Sequence, residues 1–230
     1  MKFKNKHVEQ HDDWISVSDL MAGLMMVFLF IAISLMREAM IERDKIKDVA
    51  VAYQENQVSI YEALQKEFEK DLSKWEAVLD KENLTFTFKS PDTLFASGES
   101  NLQRKYEEIL VDFFPRYLDI ILKFKKSINE IRIEGHTSTI WNSKVNEDDA
   151  YFKNMQLSQG RTRSVLEYIY NLKEVASDKT WINKHIAAVG FSSSKSIQVD
   201  GKEDKSASRR VSFRVITNSE IQIRKILEVN

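Results

Sequence analysis

The sequence lacks cysteine altogether and has little proline or glycine, with two and six residues of these types among 230. Without cysteine, disulfides, zinc ribbons and thiol nucleophiles are all excluded. Neither sign of charge is in excess, because 34 basic and 35 acidic side chains leave a net charge of -1. Since nucleic-acid-binding proteins usually carry a basic excess, the sequence predicts no direct contact with nucleic acid.

A catalytic constellation is also missing from the sequence. No nucleophile, base and acid occur in a recognisable combination, so we predict that the chain is not an enzyme. His7 and His11 lie one helical turn apart beside Asp12 and Asp13, a spacing that could bind a metal ion. Without cysteine or a fixed scaffold, this pattern is more typical of a solvated terminus. The sequence therefore predicts no metal and no other cofactor.

Long apolar runs are rare, with one exception near the N-terminus. Residues 20–36 include no ionisable side chain, and Trp14 begins a longer stretch over 14–36. At about 1.5 Å per residue this stretch covers roughly 34 Å, enough to cross a hydrocarbon core of about 30 Å. Trp14 stands where an interfacial anchor is expected. We therefore predict a short N-terminal segment over 1–13 and a transmembrane helix over 14–36.

The ends of this run bear on its processing and orientation. It ends in Leu35, Met36 and Arg37 rather than at a small-residue cleavage site, which favours an uncleaved anchor over a signal peptide. Basic residues flank both ends, so the positive-inside rule does not decide which end is cytoplasmic.

One carboxylate, Asp19, lies about one turn inside the N-terminal end of the predicted span. A charged carboxylate is costly there unless it faces protein or water, and loss of hydration favours its neutral form. Asp19 could therefore take up and release protons. Ala22 and Gly23 share its helix face and would let another helix approach closely. The residues alone leave a second interpretation open, in which Asp19 only reaches the headgroups or caps the helix.

A connector over 37–83 follows the span. It contains no glycine or proline, and its apolar residues recur at spacings of three and four, which predicts an amphipathic helix. These residues are Tyr61, Leu64, Phe68, Leu72, Trp75 and Leu79. Packing against its copy in a homodimer is the simplest use for such a stripe.

From residue 84 to 230 strands and helices alternate in an α+β pattern. The predicted strands are 85–88, 128–136, 186–191 and 209–217. The predicted helices are 102–126, 154–171 and 219–227, with a polar loop over 137–151. Pro115 is expected to kink or divide the first of these helices. One mixed β-sheet with helices packed on one face fits this order.

Four strings in this region carry a resemblance. They are IRIEGHTS over 131–138, NMQLSQGRTRSVLEYI over 154–169, IAAVGFSSS over 186–194 and ASRRVSFRV over 207–215. In this order they resemble the OmpA-like peptidoglycan-binding domain. The resemblance implies a pocket for the diaminopimelate part of the stem peptide, in which Arg161 grips a ligand carboxylate through paired hydrogen bonds. The other implied contacts are His136, Thr137, Ser138, Leu157, Ser158, Arg209 and Arg210.

The sequence departs from this family at two positions. Ser138 stands where the family commonly has an acid that receives the ligand's ammonium group, and Ser208 stands where an asparagine is common. Asp148 or Asp149 in the loop could supply the missing charge. Alternation in the last strand leaves a structural role for Arg209 and Arg210 equally open. Trp141 could contact a ligand or partner, or simply pack, and the sequence does not decide.

The span carries a second resemblance. The string SDLMAGLMMVFLF over 18–30 is similar to the transmembrane helix of MotB-type stator subunits, where the aspartate matching Asp19 carries protons. This resemblance implies a cytoplasmic N-terminus, a periplasmic C-terminal domain in the bacterial inner membrane, and a MotA-like multi-span partner. It raises the proton-carrying interpretation of Asp19 above the incidental one.

A flagellar stator subunit usually carries a longer periplasmic linker and a plug segment. This compact chain has the stretch YFKNMQLSQGRTRSVLEYI over 151–169 and a polar GHTS loop over 135–138, and it more closely resembles the ZorB family of the Zorya anti-phage defence systems. This implies a ZorA-like partner and a proton-driven role in defence. A flagellar stator subunit and a passive tether between membrane and peptidoglycan stay open as alternatives.

Overall fold

The computed structural model describes residues 9–89, 94–142 and 144–218. The predicted helix over 219–227 and His7 of the candidate metal pair lie outside the described residues. The chain forms one long N-terminal helix followed by an α+β domain, so the predicted fold class is confirmed.

Helix α1 (Glu9–Leu72) contains 64 residues and is therefore about 96 Å long. From Val17 to Met36 its side chains are exposed to an unusual degree for apolar residues, with Leu20 74% and Phe30 72% exposed. This part of the helix is long and apolar enough to cross a membrane.

The end of α1 differs from the prediction of a helix over 37–83. The helix stops at Leu72, and residues 77–80 form a strand instead. Glu76 adopts a φ of 50°, a left-handed conformation that an α-helix cannot continue through. Trp75 and Leu79 keep the apolar spacing because they pack against the same core, Trp75 from a turn and Leu79 from a strand.

The domain is built on a five-stranded sheet with a separate two-stranded hairpin. In chain order the strands are β1 (Ala77–Asp80), β2 (Thr85–Phe88), β3 (Ile128–His136), β4 (Ile186–Gly190), β5 (Gln198–Val199), β6 (Lys202–Glu203) and β7 (Arg210–Thr217). The sheet has the order β1-β2-β7-β3-β4, and β5 pairs with β6 in the hairpin. The strands β3 and β4 are parallel, and the other neighbours in the sheet are antiparallel.

Helices α2 (Arg104–Lys123) and α3 (Glu147–Tyr170) cover the sheet together with the end of α1. A 3-10 helix (Lys173–Asp178), α4 (Lys179–His185) and the short α5 (Lys205–Ser208) complete the domain. The sequence pattern predicts the strands of the sheet except β1, but not the hairpin or these short helices.

The core is an aromatic cluster centred on Phe113 of α2. Its ring lies 5.3 Å from Phe68 of α1, 4.6 Å from Phe86 of β2 and 5.1 Å from Phe213 of β7. Ring pairs at these separations add roughly 0.5–1.5 kcal/mol each beyond their burial. Because Ile60, Leu64 and Phe68 are completely buried, the last turns of α1 are part of this core.

Arg116 of α2 fastens α1 to the domain from outside the core. Its guanidinium donates to Glu67 at 2.7 Å and Asp71 at 2.9 Å, both on α1, and to Asp112 at 3.0 Å. It also lies 4.8 Å above the ring of Phe68. Three carboxylates on one arginine form a network, which contributes more than an isolated surface pair.

Two helix predictions need correction. Pro115 does not divide α2, because Phe113, Phe114 and Tyr117 on either side of it are fully buried and hold the helix against the sheet. Helix α3 begins well before the predicted residue 154. The Asn146 side chain accepts from the Asp149 N–H, and acidic residues occupy the first turn, where the helix dipole favours negative charge.

Helix α3 crosses the sheet at a point where only glycine fits. A Cβ added at Gly190 of β4 would lie 2.5 Å from the Gln159 nitrogen and 2.6 Å from Ser158 Oγ. At Gly135 of β3 it would lie 2.7 Å from the Ser158 carbonyl oxygen. The helix backbone therefore rests directly on the ends of β3 and β4, which fixes the height of α3 above the sheet.

We predict that Gly190→Ala lowers the free energy of unfolding by about 1–3 kcal/mol, because the added methyl group pushes α3 off the sheet. Urea titration of the detergent-solubilised chain, followed by tryptophan fluorescence, measures the change. Gln156→Ala, an exposed position on the same helix, serves as the control and should stay within about 0.5 kcal/mol. Equal stability of the two variants would show that the contact at Gly190 relaxes freely.

Candidate functional site

Asp19 lies in the N-terminal half of α1, among exposed apolar side chains. Gly23, one turn further along, has nothing within 4 Å of where its Cβ would be. Small residues let the backbones of neighbouring transmembrane helices approach closely. The structure therefore places Asp19 on an open helix face, separate from the folded domain.

A pocket in the domain gathers the residues that the sequence assigns to ligand binding. It is a cavity of about 140 Å³ between the end of β3, the loop after it, α3 and the loop before α2. Five predicted contacts line it: Thr137, Ser138, Leu157, Arg161 and Arg209. The remaining lining residues are Ser97, Gly98, Ile140, Trp141 and Asn154.

Arg161 is held in place by the loop that precedes α2. Its Nε donates to the Glu99 carbonyl at 2.9 Å and its Nη2 to the Ala96 carbonyl at 3.4 Å. The guanidinium lies 4.8 Å above the Phe95 ring, and only 7% of the residue is exposed. A guanidinium has five N–H donors in a fixed fork, so it can bond backbone carbonyls and a ligand together. Arg161 is therefore a preorganised donor in the wall of the pocket.

The opposite wall is the chain that leaves β3. The Thr137 N–H donates to the Ser192 carbonyl at 2.9 Å, and Asn154 Nδ2 donates to the Ser138 carbonyl at 3.1 Å. These bonds fix the backbone at both residues. Both Thr137 and Ser138 are largely buried, so each presents a small part of its surface to the pocket.

Two of the described lining residues of the pocket, Arg161 and Arg209, carry a charge, and both are basic. Asp149 instead accepts from Asn146 at the start of α3, and neither Asp148 nor Asp149 lines the pocket. The proposed replacement of the family acid by one of them therefore has no support in the geometry. A pocket of this charge suits a carboxylate better than an ammonium group.

Three predicted contacts lie elsewhere. Ser158 sits where α3 meets the sheet, with its Oγ donating to the Met155 carbonyl and accepting from the Ser192 N–H. His136 and Arg210 are paired across β3 and β7 and face the other side of the sheet. The surroundings of these three residues fit a role in holding the fold, and none of the three lines the pocket.

His136 and Arg210 line a second cavity of about 400 Å³ on the side of the sheet away from α3. His136 Nε2 is 3.5 Å from Glu134 Oε2, and both side chains are nearly buried. Burial lowers the pKa of His136 and outweighs the opposing effect of Glu134. Burial would raise the pKa of Glu134, but His136, Arg214 and Lys195 hold it below its usual value.

Sequence reasoning does not find Ser97, Gly98, Ile140 and Asn154 as pocket residues. The first three stand in loops, where no periodic pattern marks a position as buried or exposed. Asn154 lies in the helix string over 154–169, and only the fold shows that its side-chain amide is buried. Trp141, for which the sequence leaves three roles open, is one of the residues that line the pocket.

Comparison with known proteins agrees with this geometry. Residues 94–210 match the OmpA family. The Zorya protein ZorB of Escherichia coli (strain Crooks) is 53% identical over 224 residues, which cover 97% of this chain and 95% of that protein.

Solved structures of low sequence identity are also similar to parts of this chain. A MotB-like protein of Desulfovibrio vulgaris is 18% identical, with a TM-score of 0.47 over 71% of this chain and 94% of its own. The periplasmic domain of Helicobacter pylori MotB is also 18% identical, with a TM-score of 0.42 over 63% of this chain and 83% of its own.

The family match covers β3, β4, the pocket and Arg161, and the match to ZorB extends over the rest of the sheet and over α1 with Asp19 as well. The chain therefore belongs to the OmpA family through its C-terminal domain and, over almost its whole length, to the ZorB family of Zorya proteins.

Proposed function

We propose that this chain is the stator-like subunit of an ion-driven complex in the bacterial inner membrane, acting in Zorya anti-phage defence. Asp19 carries protons at the interface with a ZorA-like multi-span partner, and the C-terminal domain holds the subunit to peptidoglycan. The N-terminus is cytoplasmic and the domain is periplasmic. The continuity of α1 carries this proposal, since one helix bears Asp19 at its apolar end and enters the domain core at the other.

A partner is required on physical grounds. A single exposed helix cannot enclose a path for ions, and a carboxylate in hydrocarbon needs protein or water around it. The open face at Asp19 and Gly23 is where the partner packs. A second copy of this chain completes the complex. The ion is a proton, because one carboxylate suffices for it, whereas a metal cation needs further oxygen ligands.

The two arginines of the pocket support attachment to peptidoglycan. Arg161 and Arg209 both line the cavity, and a guanidinium suits the carboxylate at the end of a diaminopimelate side chain. The cavity of about 140 Å³ accommodates such an end group. Attachment gives the subunit a fixed point, without which proton movement past Asp19 would turn the subunit instead of its partner.

We predict that Asp19→Asn abolishes protection against phage in cells that carry the complete defence system. The amide keeps the shape of the side chain but has no titratable proton. The efficiency of plating should rise to that of cells without the system. Asp44→Asn, at an exposed acid on the same helix beyond the span, is the control and should keep full protection. Full protection by Asp19→Asn would leave the passive tether as the function.

We predict that Arg161→Ala weakens retention of the solubilised full-length chain on purified peptidoglycan by about thirtyfold, the equivalent of ~2 kcal/mol for a charge-assisted contact. Arg161→Lys should recover only part of the binding, because it keeps the charge and loses the planar fork. Co-sedimentation measures both.

Arg163→Ala is the matched control for this experiment, since Arg163 is an exposed arginine on the same helix and does not line the pocket. Unfolding curves of the three variants separate loss of binding from loss of fold. If folded Arg161→Ala is retained as well as Arg163→Ala, Arg161 has no part in the site.

A further inference from the structure

The loop between β3 and α3 places two apolar side chains at the mouth of the pocket. Ile140 and Trp141 both line it, and Ile140 remains 51% exposed. Trp141 is half-buried, so part of the residue is exposed to solvent. Single exposed apolar residues are common on protein surfaces and need no explanation. Two adjacent apolar residues that line the same pocket as two arginines do call for an explanation.

This loop is held by neighbours on both sides. The Thr139 N–H and Oγ–H donate to the Glu203 carboxylate at 3.0 Å and 2.6 Å, so the β5–β6 hairpin anchors the residue directly before Ile140. Asn154 also holds the Ser138 carbonyl on this side, and after the loop the Asn146 side chain caps α3. The backbone that leads into Ile140 and Trp141 is therefore held in place before a ligand binds, which lowers the entropy cost of binding there.

The size of the pocket decides what else the ligand touches. Its volume of about 140 Å³ is well below the roughly 300–1,000 Å³ of pockets that enclose a whole small ligand. Only the end of one side chain of a peptidoglycan fragment fits inside. The rest of the fragment must lie across the mouth, where Ile140 and Trp141 stand.

We infer that Ile140 and Trp141 form a platform for a sugar ring of the glycan strand, so that the site binds glycan and stem peptide together. A pyranose ring has one face made mainly of C–H groups and a polar rim of hydroxyl groups. An aromatic side chain with one exposed face matches this, because the C–H face packs on it while the hydroxyl groups remain in water. This inference rests on the proposed attachment to peptidoglycan and names the second part of its ligand.

Phe152 provides an internal comparison. It is 68% exposed, more than Ile140, but it does not line the pocket. It stands two positions from Asn154 on α3, which puts it about 200° around the helix from that pocket residue. Phe152 is therefore an exposed aromatic of the same domain without access to the ligand.

The test measures binding of two probes to the detergent-solubilised full-length chain by calorimetry. One probe is a disaccharide tetrapeptide that contains diaminopimelate, and the other is the same tetrapeptide without the sugars. Trp141→Ala should weaken binding of the first probe about threefold to tenfold, as expected for loss of one aromatic contact. It should leave the second probe within about twofold of the wild type.

Two further variants and one control complete the design. Trp141→Phe retains an aromatic face and should keep most of the affinity for the disaccharide probe. Ile140→Ser, at a half-exposed position that tolerates substitution, should lower the affinity for the disaccharide probe and leave the affinity for the sugar-free probe unchanged. Phe152→Ala should change neither. Equal weakening of both probes by Trp141→Ala, or of neither, would overturn the platform.

Failure of the platform and failure of the pocket give different results. If Arg161→Ala loses both probes while Trp141→Ala and Ile140→Ser change neither, the pocket stands and the platform is wrong. If the wild-type chain binds neither probe, or Arg161→Ala binds both as the wild type does, the proposed attachment itself is wrong.

Discussion

The architecture depends on the burial of the last turns of α1 in the aromatic core around Phe113. Ile60, Leu64 and Phe68 belong to the same helix as Asp19 and are fully enclosed by the domain. Between them and the span, residues 37–59 form a helical stalk of about 35 Å without glycine or proline. Beyond this stalk, Arg116 of α2 binds Glu67 and Asp71 in the last turns of α1. Displacement of the span is therefore transmitted to the domain through continuous hydrogen-bonded backbone rather than through a loose linker.

The pocket depends on a second close contact, the seating of α3 on Gly135 and Gly190. This contact sets the height of Arg161 and Leu157 above the end of β3, from which Thr137 and Ser138 continue. The loop before α2 then holds the guanidinium of Arg161 through two carbonyls. In the proposed mechanism these two contacts act in series. The burial of the end of α1 transmits force along the helix, and the seating of α3 positions the groups that bind peptidoglycan.

Much of this was predictable because burial leaves regular patterns in the sequence. β2 and β3 have their predicted bounds. The same patterns fail where buried residues keep a helical spacing although the backbone is no longer helical. Trp75 and Leu79 continue the apolar spacing of α1 from a turn and a strand, because both pack in the core of the domain. The first turns of α3 are mostly exposed and show no apolar period, although Asn146 supplies a cap. Ile140 and Trp141 stand in an irregular loop, where only the fold shows that they meet Arg161.

The central claim is that protons pass Asp19 when a partner encloses it. The most direct measurement is proton flux into vesicles that contain this chain together with its multi-span partner, followed by a pH-sensitive dye inside the vesicles under an imposed gradient. The account predicts that the wild-type complex dissipates the gradient and that the complex with Asp19→Asn holds it as long as empty vesicles do. Equal flux through both complexes would contradict the account.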